Sequence, residues 1–478
     1  MISMSIKAEL VKIFGSENVS DEEMDKLAYS RDSFPLTLMQ YKSKEILKQP
    51  QPDFIVWPEK KEQIQKLLKF CNEKNISIIP GGGFAGVCGG TTPRGGDIIL
   101  DIKKFDKIIR INKESRLVTV QAGVLGQHLE NYLNARGFTF GHFPSSLQCS
   151  TIGGFAATSS AGALSSKYGK IEDMITDLEV ILPNGEVIHT NERLAPRASI
   201  GPKLTQLFIG SEGTLGIITE ITLKIHPLPE FREFVGMLFP TLKNGLKAVY
   251  DIFQTSIRPA VVRLYDDVEA RMVYGINDIK KGQSYLTLAF DGIEKERDIM
   301  LMQKKLCYDI CIKNSGENMG EEGGKIWWEN RLNMYYPNRQ YVQANVLADT
   351  IDVVTTFDNL ENLYFKMKEA VERKKINVMA HWSHFYPDGG SMYTIFVMIE
   401  KDTKKEKKAS NLYKQAWFDG LKACLEAGGV IAHHHGIGDN SFKGQFMEQQ
   451  LGSSFQLLKD LKKTLDPNNI MNPGKMGL

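Results

Sequence analysis

The chain has 478 residues, of which 42% are apolar and 24% charged, and its formal net charge is +2. This length exceeds what one hydrophobic core serves and predicts two or three domains. Acids and bases are balanced, so we expect no nucleic-acid partner. No apolar run approaches the roughly 18 residues of a membrane span. Six cysteines without a CxxC pair and an N-terminus unlike a signal peptide predict a cytoplasmic protein.

The predicted elements begin with a helical segment over residues 1–52 that contains a charged loop. From Asp53, the stretches DFIVWP, KKEQIQKLLKFCNEKN and ISIIP predict a strand, a helix and a strand. Further strand-like runs follow in DIILDI, LVTVQAG, LEVILPNGEVIHT and IITEITLKIHPLP. The Asn-Gly pair of the third run predicts a hairpin, because these residues supply the positive φ angles of a tight turn.

The remainder of the chain alternates predicted helices and strands. The prolines of HPLPEF, Pro227 and Pro229, indicate the exit from the first domain. Residues 432–478 are predicted to be helical and end in LDPNNIMNPGK. Because this last segment is too short to stand alone, we expect it to pack on an earlier part of the chain.

The stretch PGGGFAG matches the pattern G-x-G-x-x-G at Gly81, Gly83 and Gly86, directly after a predicted strand. The dinucleotide fingerprint of a doubly wound sheet requires a helix to start here. The residues that follow, VCGGTTPRGG, are too rich in glycine and proline for a long helix. We therefore interpret the stretch as a loop whose backbone N–H groups form an anion-binding concavity.

Two further loops have the same character. Residues 144–174 are crowded with Gly, Ala, Ser and Thr, and GSEGTLG is a glycine turn that leads into a strand from Gly210 onward. Backbone and hydroxyl groups in such loops can approach a ligand closely. Three loops of this kind, each beside a strand, indicate a long polar ligand with many hydrogen-bond acceptors, and a dinucleotide fits that description.

The order of these motifs resembles the FAD-binding half of the vanillyl-alcohol oxidase/PCMH flavoprotein superfamily. The ending HHHGIG…LDPNNIMNPGK resembles the C-terminus of its FAD-linked oxidase branch. The resemblance implies an α+β fold, with a two-subdomain PCMH-type FAD-binding domain and an α+β cap domain that contains an antiparallel sheet. The implied boundaries are 1–52 for an N-terminal helical segment, 53–233 for the FAD domain, 234–431 for the cap that binds substrate, and 432–478 for a segment that returns to the FAD domain.

The resemblance further implies that FAD is bound noncovalently by the three loops. The residues expected to contact it are Pro80, Gly81, Gly82, Gly83, Phe84, Ala85, Gly86, Pro144, Ser145, Ser150, Thr151, Gly153, Gly154, Ala157, Thr158, Ser160, Ala161, Glu212, Gly213, Gly216, Ile217 and Ile218.

Most 2-hydroxyacid dehydrogenases of this branch carry Gly-Glu-His-Gly where this chain has His433-His434-His435-Gly436. The triple histidine is instead similar to alkyldihydroxyacetonephosphate synthases, as are the stretches GHFPSS, STIGG, VVRLYDD and FYPDGGSMYTIF. This resemblance implies a transferase of ether-lipid synthesis, which exchanges the acyl chain of acyl-dihydroxyacetone phosphate for a fatty alcohol without net redox change. The alternative is an FAD-linked D-2-hydroxyacid dehydrogenase that acts on D-lactate, glycolate or 2-hydroxyglutarate.

The implied transfer needs a proton shuttle of near-neutral pKa, and histidine is the side chain that suits it. We therefore expect His433, His434 and His435 to be catalytic, together with Tyr393, which can donate or accept one proton. Neighbouring side chains diverge on helices and strands, so at most two of the three histidines should face the ligand. Contiguous histidines also lack the i, i+4 spacing of helical zinc sites, so we expect no metal.

Substrate phosphate needs cations, and arginine offers it a bidentate fork. The resemblance assigns substrate binding to Arg263, Arg339 and His142, although Arg263 could be a salt-bridged strand residue and His142 a turn histidine. Either His381 or His384 could also point at the ligand. A fatty chain would require an apolar tunnel in the cap, with peripheral membrane contact if its mouth is apolar. Relatives of this kind are commonly homodimers, so we expect a homodimer.

Overall fold

The computed structural model describes residues 2–42, 45–276, 278–333, 346–399 and 406–478. The helices in these residues are α1 (Ile2–Phe14), α2 (Glu23–Ala28), α3 (Pro35–Lys42), α4 (Lys61–Lys74), α5 (Gly126–Asn134), α6 (Ile152–Ala157), α7 (Ser165–Tyr168), α8 (Ile171–Met174), α9 (Thr205–Phe208), α10 (Leu242–Phe253), α11 (Asp267–Tyr274), α12 (Arg297–Lys313), α13 (Glu322–Asn330), α14 (Leu360–Glu372), α15 (Glu406–Glu426), α16 (Met447–Leu451) and α17 (Ser454–Leu465). The strands are β1 (Val19–Ser20), β2 (Phe54–Val56), β3 (Ile78–Gly81), β4 (Ile98–Asp101), β5 (Ile108–Asn112), β6 (Leu117–Gln121), β7 (Phe138–Thr139), β8 (Ile175–Ile181), β9 (Val187–His189), β10 (Ile217–Lys224), β11 (His226–Pro227), β12 (Phe231–Phe239), β13 (Val261–Asp266), β14 (Ser284–Gly292), β15 (Glu317–Gly320), β16 (Val346–Thr356), β17 (Asn377–Tyr386) and β18 (Gly389–Ile399).

The described residues of the first half of the chain form a four-stranded sheet, a five-stranded sheet and a two-stranded sheet that pairs β7 with β11. The four-stranded sheet has the order β1-β2-β4-β3, and its β2, β4 and β3 run parallel. Helix α4 connects β2 to β3 and buries Ile64, Leu67, Leu68 and Cys71, the apolar stripe of an amphipathic helix. The five-stranded sheet, β5-β6-β10-β8-β9, is antiparallel. The strand β1 belongs to the N-terminal segment, so that segment is part of the first sheet.

The predicted Asn-Gly hairpin is confirmed between β8 and β9, where the Leu182 N–H donates to the Glu186 carbonyl at 2.8 Å. Only Gly185 adopts a positive φ, of 87°. The turn therefore differs from the two-residue type in which both central residues are left-handed.

The second half of the chain builds a seven-stranded antiparallel sheet, β15-β12-β14-β13-β17-β18-β16. One face carries Trp382, Phe385 and Phe396 into the largest apolar core, with side chains of α10, α12, α14 and α15. Successive side chains of a strand alternate between faces. The residues between these core positions therefore point to the opposite face, which borders a large cavity.

The last residues of the chain join both halves. Ile78 in β3 donates to the Ile470 carbonyl at 2.7 Å and accepts from the Asn472 N–H at 2.8 Å. At the other end of this segment, Val430 exchanges two backbone hydrogen bonds with Val354 in β16. None of the helices in the described ranges combines the length and apolar content that a membrane crossing requires.

Candidate active site

A cavity of 1330 Å³ is lined both by the glycine-rich loops and by one face of the seven-stranded sheet. Sites for one drug-sized ligand usually measure about 300–1,000 Å³, so this cavity has room for a dinucleotide and a second molecule. Every residue expected to contact FAD, from Pro80 to Ile218, lies on its wall. Their contact with the cofactor itself stays a prediction.

The loop that follows β3 fits a bound pyrophosphate. No helix or strand forms between Gly81 and Ile98, as the sequence predicts. A Cβ on Gly82 would lie 2.1 Å from Thr151 Oγ1, and one on Gly83 would lie 2.1 Å from the Cys149 carbonyl. Within the described ranges, the N–H groups of Gly82 and Gly83 donate no hydrogen bond. Free backbone donors packed this closely form the kind of concavity that holds phosphates.

One row across four neighbouring strands supplies polar groups opposite the glycine loops. Tyr265 in β13 pairs with His381 in β17, His381 pairs with Tyr393 in β18, and Tyr393 pairs with Asp352 in β16. Directly paired residues point to the same face of a sheet. The first three therefore reach the cavity side by side.

A β-bulge adds His384 to the same face. Strict alternation would send His381 and His384 to opposite faces, because they are three residues apart. The pairing of β17 with β18 shifts between Trp382 and His384, and the extra residue of such a bulge reorients the side chains after it. Both histidines consequently line the cavity, while Trp382 and Phe385 enter the core behind the sheet.

Asp352 organises the three consecutive histidines. Its Oδ2 accepts the backbone N–H groups of His433, His434 and His435 at 3.0, 2.9 and 3.1 Å, and its Oδ1 accepts from Lys443 Nζ. The loop therefore curves around a buried carboxylate and forms neither a helix nor a strand. This curvature turns the side chains of His434 and His435 into the cavity.

His433 is not on the cavity wall, and its catalytic role stays a prediction. Its Nε2 lies 3.1 Å from the Tyr386 hydroxyl, and its Nδ1 lies 2.7 Å from His434 Nδ1. The remaining nitrogen of His434, Nε2, is hydrogen-bonded to the Tyr393 hydroxyl. If Tyr393 donates to His434, then His434 donates to His433 and His433 donates to Tyr386, so one set of tautomers satisfies the whole chain.

The central pair is neutral in the folded protein. Burial, with the charges of His435 and His384, lowers the pKa of His434 well below its ordinary value. Burial and the Asp352 carboxylate raise the pKa of Tyr393 above its ordinary value. At neutral pH a phenol therefore faces an uncharged imidazole, and the two share one hydrogen bond.

Two arginines reach the cavity without a carboxylate partner in the described ranges. Arg263 donates from Nε to the Tyr265 hydroxyl at 2.6 Å. Arg331 stacks on Trp328 at 3.6 Å, and its Nε is buried without a hydrogen bond. Burial and the positive charge of Arg232 lower the pKa of Arg331 to about 10. The predicted Arg339 lies outside the described residues.

His142 is not on the cavity wall, and its contact with substrate stays a prediction. It packs between the rings of Phe140 and Phe155, and its Nε2 lies 2.8 Å from the hydroxyl of Ser160, which does line the cavity. Burial lowers the pKa of His142 to about 3. A neutral His142 therefore orients Ser160 from behind the wall.

Comparison with known proteins shows to which family the chain belongs. Residues 52–191 match the family described as FAD binding domain. Residues 228–476 match the family described as FAD linked oxidases, C-terminal domain. The chain belongs to the FAD-linked oxidase family. The predicted PCMH-type fold with its antiparallel cap sheet and the predicted FAD cofactor are thereby confirmed.

Relatives within the FAD-linked oxidase family carry two kinds of name. An alkyldihydroxyacetonephosphate synthase of Dictyostelium discoideum is 28% identical over 502 residues, covering 98% of this chain and 80% of the relative. Glycolate oxidase subunit GlcD of Bacillus subtilis (strain 168) is 29% identical over 486 residues, covering 100% and 97%. A solved alkyldihydroxyacetonephosphate synthase structure matches with a TM-score of 0.78 at 25% identity, covering 98% of this chain and 84% of that one. This chain is thus similar to FAD-dependent enzymes of two reaction types.

Sequence reasoning missed several residues of this FAD-linked oxidase site. Asp352 interrupts an apolar strand run, so the sequence already indicated that this acid is buried. Acids are rarely buried without a partner, and this position was therefore a signal for an interaction in the site. Lys443 and Arg331 lie in unremarkable polar surroundings in the sequence and gave no such signal. The N-terminal segment also lines the cavity through Asp32 and Ser33, which no motif indicated.

The imidazoles of this site are arranged for hydrogen bonding. Ligand nitrogens of His384, His433 and His434 lie within 4.8 Å of one another, a spacing that a metal ion could in principle use. Both nitrogens of His433 and both of His434 already face hydrogen-bond partners, and His384 Nδ1 lies 2.8 Å from the Ser165 hydroxyl. Five of these six ring nitrogens thus face hydrogen-bond partners within the described ranges, and the metal-free enzyme stays a prediction.

Treatment with a strong chelator is therefore expected to leave turnover of the FAD-loaded enzyme unchanged. The check is activity before and after dialysis against the chelator, with elemental analysis of the protein. Stoichiometric zinc or manganese, lost together with activity and restored with it, would contradict the metal-free prediction.

Replacing Lys443 with methionine should destabilise the protein by about 3–5 kcal/mol, because it leaves the buried Asp352 carboxylate without its cation. Denaturant titration measures the loss, and the exposed Lys463 replaced by methionine serves as the matched control.

Burial opposes ionisation of Asp352, but the charges of His435 and Lys443 hold its pKa below the ordinary value. Its contribution to stability should therefore be complete above about pH 4 and be lost as the pH falls further.

Proposed function

We propose that this FAD-dependent enzyme is a transferase of the alkyldihydroxyacetonephosphate synthase type. It exchanges the acyl chain of acyl-dihydroxyacetone phosphate for a fatty alcohol. The observation that carries the proposal is a corridor that starts at Tyr393 and follows the cap sheet. It is lined by Met379, Ile395 and Val397, with Thr350 and Asn377 beside them. A hydroxy acid of a few carbons has no use for such a corridor, whereas two successive fatty chains require one.

The corridor consists of rows of paired residues on the cavity face. Beyond Tyr393, the next row pairs Ile395 with Met379, and the row after it pairs Val397 with Asn377. All four line the cavity. Antiparallel strands rise about 3.4 Å per residue, so the distance from Tyr393 to Val397 is roughly 14 Å. Each methylene that leaves water along this path contributes about 0.8 kcal/mol to binding.

The phosphate of the substrate would be held by the two arginines that have no carboxylate partner among the described residues. Arg263 and Arg331 line the same cavity as Tyr393, and Arg331 has a buried donor without a partner. Guanidinium groups bind phosphate oxygens in a bidentate manner. With the phosphate at the arginines and the chain in the corridor, the carbons between them lie at the row of Tyr393 and His381.

Proton handling follows from the neutral Tyr393–His434 pair. His434 Nε2 can take the phenolic proton, so that the Tyr393 oxygen can remove a proton from the substrate carbon next to the ketone. When bound, FAD supplies the electron-accepting ring system that such a transfer needs. Asp352 keeps His434 in place by accepting its backbone N–H at 2.9 Å.

The test is incubation of the purified, FAD-loaded protein with acyl-dihydroxyacetone phosphate and hexadecanol, followed by mass spectrometry of the lipid product. An ether product with release of the fatty acid supports the proposal. No ether product, under conditions in which the flavin is intact, contradicts it.

The second candidate is oxidation of a D-2-hydroxy acid. It is favoured by the full-length similarity to a glycolate oxidase subunit and by the two arginines, which could equally hold a carboxylate. Rapid bleaching of the flavin by D-lactate, glycolate or D-2-hydroxyglutarate, with no response to the acylated ketone, would establish this function in place of the transferase.

Replacing Ile395 with tryptophan should narrow the corridor in its second row. Overfilling a packed site costs about 1–3 kcal/mol, which lowers kcat/KM for hexadecanol about 5–150-fold. Butanol, which does not reach this row, should be affected far less. Ile299, which is 61% exposed on α12, supplies the matched control, since tryptophan there should change neither value. An equal loss for both alcohols would contradict a corridor at Ile395.

A further inference from the structure

A second acid–base pair lies in the cavity beside the Tyr393–His434 pair. His381 Nδ1 lies 2.7 Å from Glu269 Oε1, and both residues are on the cavity wall. Glu269 belongs to α11 and is only 2% exposed, and its Oε2 has no hydrogen-bond partner. Among the described residues, the side chain of this buried carboxylate therefore forms a hydrogen bond to the imidazole of His381 and holds that ring in place.

The hydrogen bond determines which nitrogen of His381 can react. A carboxylate accepts, so the proton of the neutral ring is on Nδ1, and the lone pair is on Nε2. In the described ranges, Nε2 makes no hydrogen bond. An imidazole oriented by a carboxylate, with its second nitrogen free, is the arrangement of a general base that activates a hydroxyl group.

The two pairs are adjacent but separate. The rings of His381 and Tyr393 stack face to face, with centroids 4.4 Å apart and planes 22° from parallel. Stacked rings do not exchange a hydrogen bond through their edges, so each pair keeps its own proton. Met379 and Ile395 form the next row of the corridor behind them. The terminal hydroxyl of a chain lying on that row would meet His381 at the head of the corridor.

On the basis of the proposed function, we infer that His381 is the catalytic base for the incoming alcohol and that Glu269 is its positioning residue. The alcohol O–H bond breaks, its proton goes to His381 Nε2, and its oxygen forms a C–O bond with the substrate carbon. The C–O bond from that carbon to the acyl group breaks, and its electron pair leaves with the carboxylate. The sum is one ester and one alcohol converted into one ether, one carboxylate and one proton, without oxidation or reduction.

Burial of His381 is compatible with this role. Desolvation lowers the pKa of His381, although the Glu269 carboxylate opposes that effect and the charge of Arg263 adds to it. The ring is therefore neutral at neutral pH and is ready to accept a proton.

The test separates the two proton transfers in the FAD-loaded enzyme. Exchange of the substrate carbon-bound hydrogen with D2O, measured with acyl-dihydroxyacetone phosphate alone, reports the Tyr393–His434 pair. Ether formation with hexadecanol reports both pairs. We expect His381→Gln to lower ether formation about 10²–10⁴-fold and to leave the exchange rate near that of the wild type. Glu269→Gln should act in the same direction, and Glu269→Asp should recover part of the activity because it restores a carboxylate.

The matched control is His128→Gln, a histidine exposed on α5 outside the cavity, and the flavin spectrum verifies folding of each variant. Equal loss of exchange and ether formation in His381→Gln would overturn the assignment, as would ether formation at the level of the control. If the wild type forms no ether from acyl-dihydroxyacetone phosphate, the proposed function fails, and this inference fails with it. A working wild type with an unaffected His381→Gln variant refutes this inference alone.

Discussion

Replacing Tyr393 with phenylalanine is expected to lower ether formation about 10²–10⁴-fold while the variant keeps its FAD. The phenylalanine ring preserves the stacking on His381 but cannot take a proton from the substrate or pass one to His434. Steady-state turnover with saturating substrates and the flavin absorbance of the purified variant are the measurements.

His434→Ala should show a loss of the same order, because its Nε2 is the partner of the Tyr393 hydroxyl. The double variant should be little worse than either single one, since residues that act as a unit are not additive. Tyr250, which is 38% exposed and is not on the cavity wall, provides the control when it is replaced by phenylalanine. Full activity in the Tyr393 variant would show that the hydroxyl has no part in the reaction.

Replacing Gly83 with aspartate should abolish FAD binding, and alanine at the same position should weaken it. The new Cβ would lie 2.1 Å from the Cys149 carbonyl, which is backbone and cannot rotate away. Overpacking of this kind costs about 1–3 kcal/mol, which corresponds to about a 5–150-fold higher Kd for FAD. The aspartate adds a charge that repels the pyrophosphate. Reconstitution of apoprotein with FAD, followed by fluorescence titration, gives the Kd.

Gly292→Ala supplies the control for this prediction. Gly292 lies in β14, and the nearest atom to a new Cβ there is in the Phe231 ring at 3.4 Å, an ordinary contact. That variant should retain FAD with unchanged affinity. Normal FAD binding by the Gly83 aspartate variant would show that the glycine loop is not the pyrophosphate cradle.

Local signals in the sequence predicted the FAD half of the molecule well. The composition after Gly86 excluded a helix, and none forms there. The Asn-Gly hairpin and the strands around it follow from short-range preferences. Even so, only Gly185 of that turn is left-handed, because one residue of the pair suffices when the loop is longer than two residues.

The pairing of the residues in the active-site row could not be predicted, because it depends on register between distant strands. Tyr265, His381, Tyr393 and Asp352 meet through pairings that no local pattern encodes, and a slip of one residue would reverse every face. The β-bulge that brings His384 to the cavity also depends on the register between strands, and no local pattern predicted it. Adjacency predicted that at most two of the three histidines face the ligand, but not which two, because the loop curves around a carboxylate that lies 81 residues earlier.

The dependence of the histidine loop on its two neighbours bears on how the molecule is made. Ile437 and Gly438 are tied to Glu212 in the FAD half, and the preceding histidines are tied to Asp352 in the cap. During synthesis the earlier domains emerge and fold first. The proton-handling groups can assemble only after both have formed and nearly the whole chain has been translated. A nascent or truncated chain that lacks this last segment therefore has no means of carrying out the reaction.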